Sequence, residues 1–461
     1  MGSTDQSSQT VQRFILPPLR SYQTELVRDQ GAPLCCLSAT QIGKTFAYAC
    51  KLAASMWEYR GPHPWWWCAP TYRQSKAGQR VMYEITQSAG IRLRGPRPPF
   101  DTNPPPTLVL VNGASCEYRT WDNPENLMGD PIAGGVVDEA GMLNTSASSN
   151  ISTRRSFTLG PLWYIGNPGP IDGPFAKLCD EAERTGSFYR WTWRELHGHL
   201  ELTDPARAAA YLKHIEGERR RFPRKEFQRL YEAEWADWND LPAYEFDRAT
   251  HVDAERAEYD PHLPVELACD FNVDPMAWTI GQHRGEHVWA FDEIIIPGGA
   301  TTRAACDEFI RRHPDTNTEV VVYGDRSGKS RGTRSKSSDY DVIRAILGAH
   351  YYTEPRFDVW DANPPVAQRL NCVNAKLMAA DGTVSYWIHP RCKNLIDDRA
   401  QVSLLPGTHD IDKRNKKRTH SSDSDDYRVS RLYPLEVNAP VYVGVPDVSQ
   451  PFRDPFIGQR F

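Results

Sequence analysis

The sequence predicts an α/β fold in two domains, and three observations predict it: the length, an N-terminal alternation of short apolar runs with helical stretches, and a second β-rich start past the middle. At 461 residues the chain is too long for one ordinary core. Pro33 to Leu37, Trp65 to Ala69, Thr107 to Val111, Gly135 to Val137 and Leu162 to Ile165 alternate with helix-prone stretches and turns. That rhythm predicts a largely parallel, buried sheet. A charged, helix-prone stretch that includes Glu216 to Arg221 follows. Val265 to Phe271, Ala277 to Gly281, His287 to Ile296 and Glu319 to Tyr323 then open a second domain and precede further helices. The expected organisation is a first domain over 1–195, a linker or helical subdomain over 196–250, a second domain over 251–435 and an extended tail over 436–461. The tail carries Pro440, Pro446, Pro451 and Pro455, which favour extended backbone. No internal repeat is visible.

Composition excludes several classes. Hydrophobic residues at 40% and charged residues at 25% fit a soluble globular protein rather than a largely disordered chain. No apolar run approaches the roughly 20 residues that span a bilayer, and Met1 to Thr10 is polar, unlike a secretory signal. The expectation is a cytoplasmic protein with no membrane partner. A net charge of -5 excludes a basic nucleic-acid coat, so any DNA contact must come from local patches. The ten cysteines include adjacent Cys35 and Cys36 but no C-x-x-C pair, which argues against a zinc site or a disulfide framework. They read as small buried apolar residues. Trp65, Trp66 and Trp67 read as a core strand rather than a platform for stacked bases.

The run Pro33 to Leu37 leads into Ser38, Ala39, Thr40, Gln41, Ile42, Gly43, Lys44 and Thr45, then a helical stretch from Phe46 to Trp57. Strand, loop and helix in this order make a phosphate cradle. Free N–H groups at the helix start face the phosphates, Lys44 neutralises the β and γ charges, and the Thr45 hydroxyl ligates Mg²⁺. Ser38 stands where the first glycine is usual. A bare G-K-[S/T] arises by chance in roughly one chain in five of this length. Gly328-Lys329-Ser330 is such a case, because no helix-prone stretch follows it.

The first match gains weight from a partner. Gly134 to Ala140 is a buried strand ending in Asp138 and Glu139, where Asp138 can hold the Mg²⁺ shell and Glu139 can activate water. Upstream, Tyr22 and Gln23 either meet an adenine or merely begin an amphipathic helix. Downstream, Gly166-Asn167-Pro168 either senses the γ-phosphate or is a turn.

In the second half, Leu267 to Pro275 places Asp270 on an apolar strand, where an uncompensated carboxylate costs several kcal/mol. Val320 to Asp325 repeats the arrangement. His420 to Tyr427 begins a helix on which Asp423 and Tyr427 share a face. Carboxylates from two strands and a helix can hold two Mg²⁺ or Mn²⁺ ions, about 4 Å apart, for phosphodiester hydrolysis. Asp270, Asp325 and Asp423 are the expected ligands, with Asp425 and Asp426 as neighbours of the third. Arg326, Lys329, Arg331, Arg334 and Lys336 line one adjacent loop, and Lys413, Arg414, Lys416, Lys417 and Arg418 another. Beside acids that repel DNA, both loops are expected to contact phosphates.

The order Tyr22-Gln23, the Ser38 to Thr45 loop, Ala69 to Gln74, Leu127-Met128-Gly129, Val136 to Ala140 and Gly166-Asn167-Pro168 resembles the ATPase of bacteriophage large terminase subunits. Asp270 with Pro275 downstream, Glu293, Asp325, Asn394-Leu395-Ile396 and His420 to Tyr427 resemble the ribonuclease H-type nuclease of the same family. The resemblance implies a P-loop ATPase domain with a mostly parallel sheet and a ribonuclease H-like nuclease domain with a mixed sheet. It implies ATP and Mg²⁺ in the first and Mg²⁺ or Mn²⁺ in the second. Its implied partners are double-stranded DNA, a portal protein, a small terminase subunit and further copies of the chain, acting in a host cytoplasm. That family often has an arginine where Thr40 stands, leaving Arg73, Arg80, Arg119, Arg154 and Arg155 as candidates for the catalytic arginine. Two rival expectations are a helicase-like DNA remodeller and a non-catalytic viral assembly protein with a degenerate phosphate loop.

Overall fold

The computed structural model of the chain describes residues 15–91, 93–94, 100–101, 105–235, 242–272, 274–316, 318–330, 337–405, 410–414 and 418–435. The expected tail, 436–461, lies outside these residues. The described chain divides into two units. One holds residues up to Ala208 together with Arg229–Trp235; the other holds Ala209–Gln228 and the described residues from 242 to 435. The helix-prone stretch expected to form a separate linker is thus shared out between the two.

The first unit runs α1 (Ser21–Arg28), β1 (Leu34–Ser38), α2 (Lys44–Glu58), β2 (Trp65–Ala69), α3 (Tyr72–Ser88), β3 (Leu93–Arg94), β4 (Phe100–Asp101), β5 (Thr107–Leu110), β6 (Ser115–Thr120), β7 (Gly134–Val137), α4 (Thr145–Arg154), β8 (Leu162–Gly166), α5 (Pro174–Thr185), β9 (Phe188–Trp191) and α6 (Trp193–Thr203). Its sheet has the order β3-β5-β6-β2-β7-β8-β1-β9, with β4 alongside β5. From β6 to β9 in that order every pairing is parallel, whereas β3, β4 and β6 pair antiparallel to β5. The parallel reading of Thr107 to Val111 is therefore corrected. An Asn112-Gly113 turn, with Gly113 at φ 92°, folds β5 back on β6 as a hairpin, and N-G is the strongest short signal for one.

The three tryptophans of β2 are 5%, 1% and 0% exposed, which makes them core residues as expected. They set conditions on their neighbours. A Cβ on Gly135 would stand 2.8 Å from the Trp66 carbonyl, and one on Gly78 of α3 would stand 2.4 Å from the Trp67 ring. The backbone of the central strand thus requires glycine on one side and the Trp67 ring requires it on the other. All ten cysteines are free and buried.

The second unit takes in most of α7 (Pro205–Arg221) and the start of α8 (Arg224–Tyr231). It continues through α9 (Arg248–His251), β10 (Val265–Asp270), β11 (Met276–Arg284), β12 (His287–Ile296), α10 (Thr302–Arg312), β13 (Val320–Gly324), α11 (Asp339–Tyr351), β14 (Arg356–Phe357), α12 (Val366–Leu377), β15 (Tyr386–Ile388), α13 (Lys393–Gln401) and α14 (His420–Leu432). The sheet order is β14-β13-β10-β11-β12-β15. It is mixed: β10, β11 and β12 form an antiparallel meander, and β13, β14 and β15 join in parallel. One core contains Trp278, Phe291, Phe309 and Ile343. Against β10, β11 and β13 lies α14, whose residues from Ser421 to Ser430 are all buried. No helix among the described residues is long and apolar enough to cross a membrane.

Candidate nucleotide and metal sites

In the first unit, β1 ends at Ser38 and α2 begins at Lys44. Between them the chain turns through Gln41 at φ 58° and Gly43 at φ 87°. Gly43 is required twice over: its φ is left-handed, and a Cβ there would stand 2.6 Å from Gln23 Nε2. Tyr22 and Gln23, from α1, grip the loop's carbonyls. The Tyr22 hydroxyl donates to Ile42 O at 2.8 Å and Gln23 Nε2 to Gly43 O at 3.0 Å. The Ala39 and Thr40 N–H groups donate to the Trp191 and Leu230 carbonyls, at 2.6 and 2.8 Å. The loop is thus fixed from its outer side, while the first N–H groups of α2 have no helical carbonyl to meet and are available to an anion.

Lys44, Asn167, Asp138 and Glu139 come together at the C-terminal ends of β1, β7 and β8. Lys44 Nζ donates to Asn167 Oδ1 at 2.9 Å, and Asn167 Nδ2 donates to Ser38 O at 2.8 Å. Glu139 Oε1 stands 3.7 Å from Lys44 Nζ. Asp138 is buried, and burial pushes its carboxyl up to about 7; the Glu139 charge adds to the rise, while the Lys44 charge and hydrogen bonds from the Glu139 N–H and Thr45 hydroxyl oppose it. Glu139 adopts a left-handed φ of 54°, an uncommon conformation for a non-glycine residue. Close approach of the neighbouring turn depends on Gly141, where a Cβ would stand 2.1 Å from Asn167 O.

The five candidate arginines fare differently. Arg119 pairs with Glu117 at 2.7 Å, Arg154 donates to Gly129 O at 2.7 Å and Arg80 stands 3.9 Å from Glu84, all away from the loop. Arg73 opens α3 and Arg155 follows α4, so neither lies on the elements that hold the loop. An arginine that does touch the loop is Arg20, donating from Nη1 to Ile42 O at 3.0 Å and to the Tyr22 hydroxyl at 3.1 Å. Its proximity to Tyr22-Gln23 in sequence was the available signal.

In the second unit, Asp270 ends β10 and Asp423 lies in the first turn of α14, both buried. Asn272 Nδ2 donates to Asp270 Oδ2 at 2.6 Å, and His420 Nδ1 stands 3.5 Å from the same oxygen. Burial raises the Asp270 carboxyl and the Asp423 charge raises it further, while His420 and Asn272 oppose the rise. Lys413 Nζ donates to Asp423 Oδ2 at 2.9 Å. Asp423 Oδ1 is buried without a hydrogen-bond partner. Asp325 follows β13, and its Oδ1 accepts from Ser327 N and Asn363 Nδ2, both at 2.7 Å. All three acids act electrostatically on the Tyr427 phenol, so they share a neighbourhood. Among the described residues, however, no three metal-ligating side chains are drawn close enough to hold an ion. Asp325 is turned onto its own loop, where it caps a short helical turn.

Asp425 and Asp426 are spoken for. Arg399 donates to both at 2.6 Å, Arg428 donates to Asp425 at 2.8 Å and to Glu266 at 2.7 Å, and the Tyr244 hydroxyl donates to Asp426 at 2.9 Å. Tyr386 donates to Asp425 as well. Glu293 accepts from the Asn394 and Leu395 N–H groups at 2.7 and 2.9 Å and so caps α13. The basic loops are partly self-neutralised: Arg414 pairs with Asp412, Arg418 stands 3.6 Å from Asp397, and Lys329 pairs with Asp361 at 3.1 Å. Arg331, Arg334, Lys336, Lys416 and Lys417 lie outside the described residues.

A largely parallel α/β sheet with a strand, loop and helix is thus followed in the chain by a mixed sheet carrying acids at its strand ends. That fold is shared by the large terminase from a thermophilic bacteriophage, which is 15% identical over 90% of this chain and 99% of that one, with a TM-score of 0.56. The same protein's complexes with ADP and with ATP-gamma-S are 16% identical over the same spans, each with a TM-score of 0.55. No family model matches the chain, and no curated protein sequence matches it.

Proposed function

We propose that this chain is a large terminase subunit, a motor that uses ATP to drive viral double-stranded DNA into a procapsid and a metal-dependent endonuclease that cuts the DNA concatemer. The observation that carries the reading is the meeting of Lys44, Asn167, Asp138 and Glu139 at the end of one parallel sheet, within a fold shared almost end to end with a large terminase. Lys44 and the N–H groups from Gln41 to Thr45 hold the phosphates. Thr45 and Asp138 hold Mg²⁺: both offer hard oxygen, and a buried carboxyl pushed up to about 7 gains from a cation. Glu139 orients the attacking water, and Asn167 links Lys44 to the strand end, where a change at the γ-phosphate is felt.

Asp270, Asp423 and Asp325 would hold Mg²⁺ or Mn²⁺ in the second unit, and such ions would supply water activation and stabilisation of the leaving charge. The donor chemistry suits such ions, since all three ligands are carboxylates and Asp423 Oδ1 is a buried oxygen without a hydrogen-bond partner; Asp325 would have to turn from its own loop and Lys413 would have to yield its place on Asp423. A portal protein, a small terminase subunit and further copies of the chain are the partners that packaging demands, in a host cytoplasm. Purified protein should release phosphate from ATP faster with double-stranded DNA and should cleave plasmid DNA in Mg²⁺ or Mn²⁺. Absence of both activities would leave only a structural role for the chain.

A further inference from the structure

Arg369 lies on α12 and is 5% exposed. Its guanidinium is stacked over the Tyr427 ring, 4.2 Å from the centroid. Nη1 stands 3.6 Å from Asp423 Oδ1, beyond hydrogen-bond reach. Neither that oxygen nor Nε and Nη1 of Arg369 has a hydrogen-bond partner. Arg428 and Arg399, equally buried in the same unit, commit both terminal nitrogens to Asp425, Asp426 and Glu266. Buried guanidinium donors are costly to leave unpaired, so Arg369 calls for an acceptor that the described residues do not supply.

The surroundings restrict that acceptor. It must be anionic, and it must tolerate Asp423, Asp270 and Asp325, all of which act on the Tyr427 phenol beneath the guanidinium. A free carboxylate would be repelled there. A phosphodiester that arrives with divalent cations is not, because the cations neutralise the acids while one phosphate oxygen remains free to face the fork of an arginine. Stacking on Tyr427 fixes the plane of that fork in advance.

We propose that Arg369 binds the scissile phosphate of DNA, donating from Nη1, which stands nearest Asp423, to the non-bridging oxygen that the cations leave free, an inference that rests on reading the Asp270 and Asp423 site as a nuclease. The competing role is that of a mere counter-ion that holds Asp423 in place. The two roles part company over metal affinity, since a counter-ion matters to the empty carboxylate and a phosphate ligand matters only once DNA is present.

The test uses the full chain, a short fluorescent DNA duplex and Mn²⁺. Arg369→Gln should lower kcat for cleavage by about a hundredfold, the cost of removing a donor to a developing anionic oxygen. Mn²⁺ affinity measured calorimetrically, the melting temperature and ATP hydrolysis should stay at wild-type values. Arg369→Lys should recover part of the rate, because it keeps the charge without the fork. In Ca²⁺, the slope of log affinity against log salt should become shallower by about one in Arg369→Gln only. Wild-type cleavage by Arg369→Gln overturns the proposal, as does a loss of Mn²⁺ affinity that matches the loss of activity. Should Arg369→Gln fail to fold, Arg369→Lys decides alone: a reduced kcat at unchanged Mn²⁺ affinity supports the proposal and an unreduced one sinks it. Wild-type protein that cuts no DNA in Mn²⁺ would instead remove the nuclease reading itself.

Discussion

Asp138 and Glu139 are adjacent carboxylates with unlike surroundings, the first buried and the second half-buried. Asp138 ends a buried strand, while Glu139 turns through a left-handed φ of 54° and is brought within 3.7 Å of Lys44. Burial suits the first to a fixed cation and partial exposure suits the second to a water molecule. Replacing Glu139 with Ala should therefore leave nucleotide binding near wild type and abolish turnover, whereas Lys44→Ala should weaken both. Equilibrium binding of a fluorescent ATP analogue alongside phosphate release checks this, and normal hydrolysis by Glu139→Ala would remove the assignment. At this scale the sequence was legible where spacing is local: the loop from Ser38 to Thr45 and the strand ending at Asp138 needed no structure. Tyr22 and Gln23 were ambiguous because their targets are backbone carbonyls of the loop, and backbone carbonyls leave no mark in a sequence. Arg369 carried no local signature at all.

The helix α14 shows what an element conceals. Ser421 to Ser430 is polar in composition, yet it is buried throughout, because Arg399, Arg428, Tyr244 and Tyr386 satisfy its acids from other elements and from its own next turn. Periodicity cannot reveal a buried polar helix, since most of its partners are distant in sequence. This changes what substitutions report. Asp426→Ala strands Arg399 without one of its two acids and should destabilise the second unit by about 3–5 kcal/mol, so a loss of cleavage there means unfolding. Asp423→Ala removes a carboxylate whose Oδ1 has no hydrogen-bond partner and which is held by Lys413 and faced by Arg369, and it should abolish cleavage with a smaller fall in the urea midpoint than Asp426→Ala. A normal midpoint for Asp426→Ala would contradict the network. Asp398 anchors the same helix, accepting from Ser421 and Ser422 N–H groups at 3.1 and 3.2 Å, and burial pushes its carboxyl up to about 6 against the Ser422 N–H and the Arg418 charge. A carboxyl raised by folding makes the folded state bind the extra proton, so stability falls as pH rises from about 4 to about 6. The contribution is on the order of 3 kcal/mol. Asp398→Asn keeps an acceptor oxygen and should flatten that pH dependence in urea denaturation; an unchanged slope would place the effect elsewhere. Strands β6 and β9 escaped sequence reasoning for a related reason. Ser115–Thr120 is half buried and polar in composition, and Phe188–Trp191 is a short edge strand.

Over the whole molecule, the candidate nucleotide groups lie before residue 170 and the candidate metal acids lie beyond residue 265, in different units. Asp270→Ala should therefore stop cleavage and spare ATP hydrolysis, and Lys44→Ala should do the reverse on DNA that needs no translocation. Isolating the second unit is a sterner trial, and the fold dictates where to cut. A fragment beginning at about residue 240, just ahead of the second domain expected from the sequence, would discard Ala209–Gln228, which belongs to the second unit. That stretch holds the strand bridge of Pro223 to Ala379, a hydrogen bond from Ala380 N to Phe222 O at 2.9 Å, and the pairs Arg220 with Asp381 and Lys225 with Glu245 at 3.6 and 3.2 Å. Buried Phe222, Phe227 and Ile215 go with it, each worth about 1.5–3 kcal/mol of apolar burial, a loss comparable with the roughly 5–15 kcal/mol by which domains are stable. A fragment from residue 205 to 435 should unfold cooperatively and cut DNA in Mn²⁺. One from residue 240 should be markedly less stable, by circular dichroism in urea, and less active in proportion to its folded fraction. Equal stability of the two fragments would mean that these helices belong energetically to the other unit, and a folded longer fragment without Mn²⁺-dependent cleavage would end the case for a self-contained nuclease.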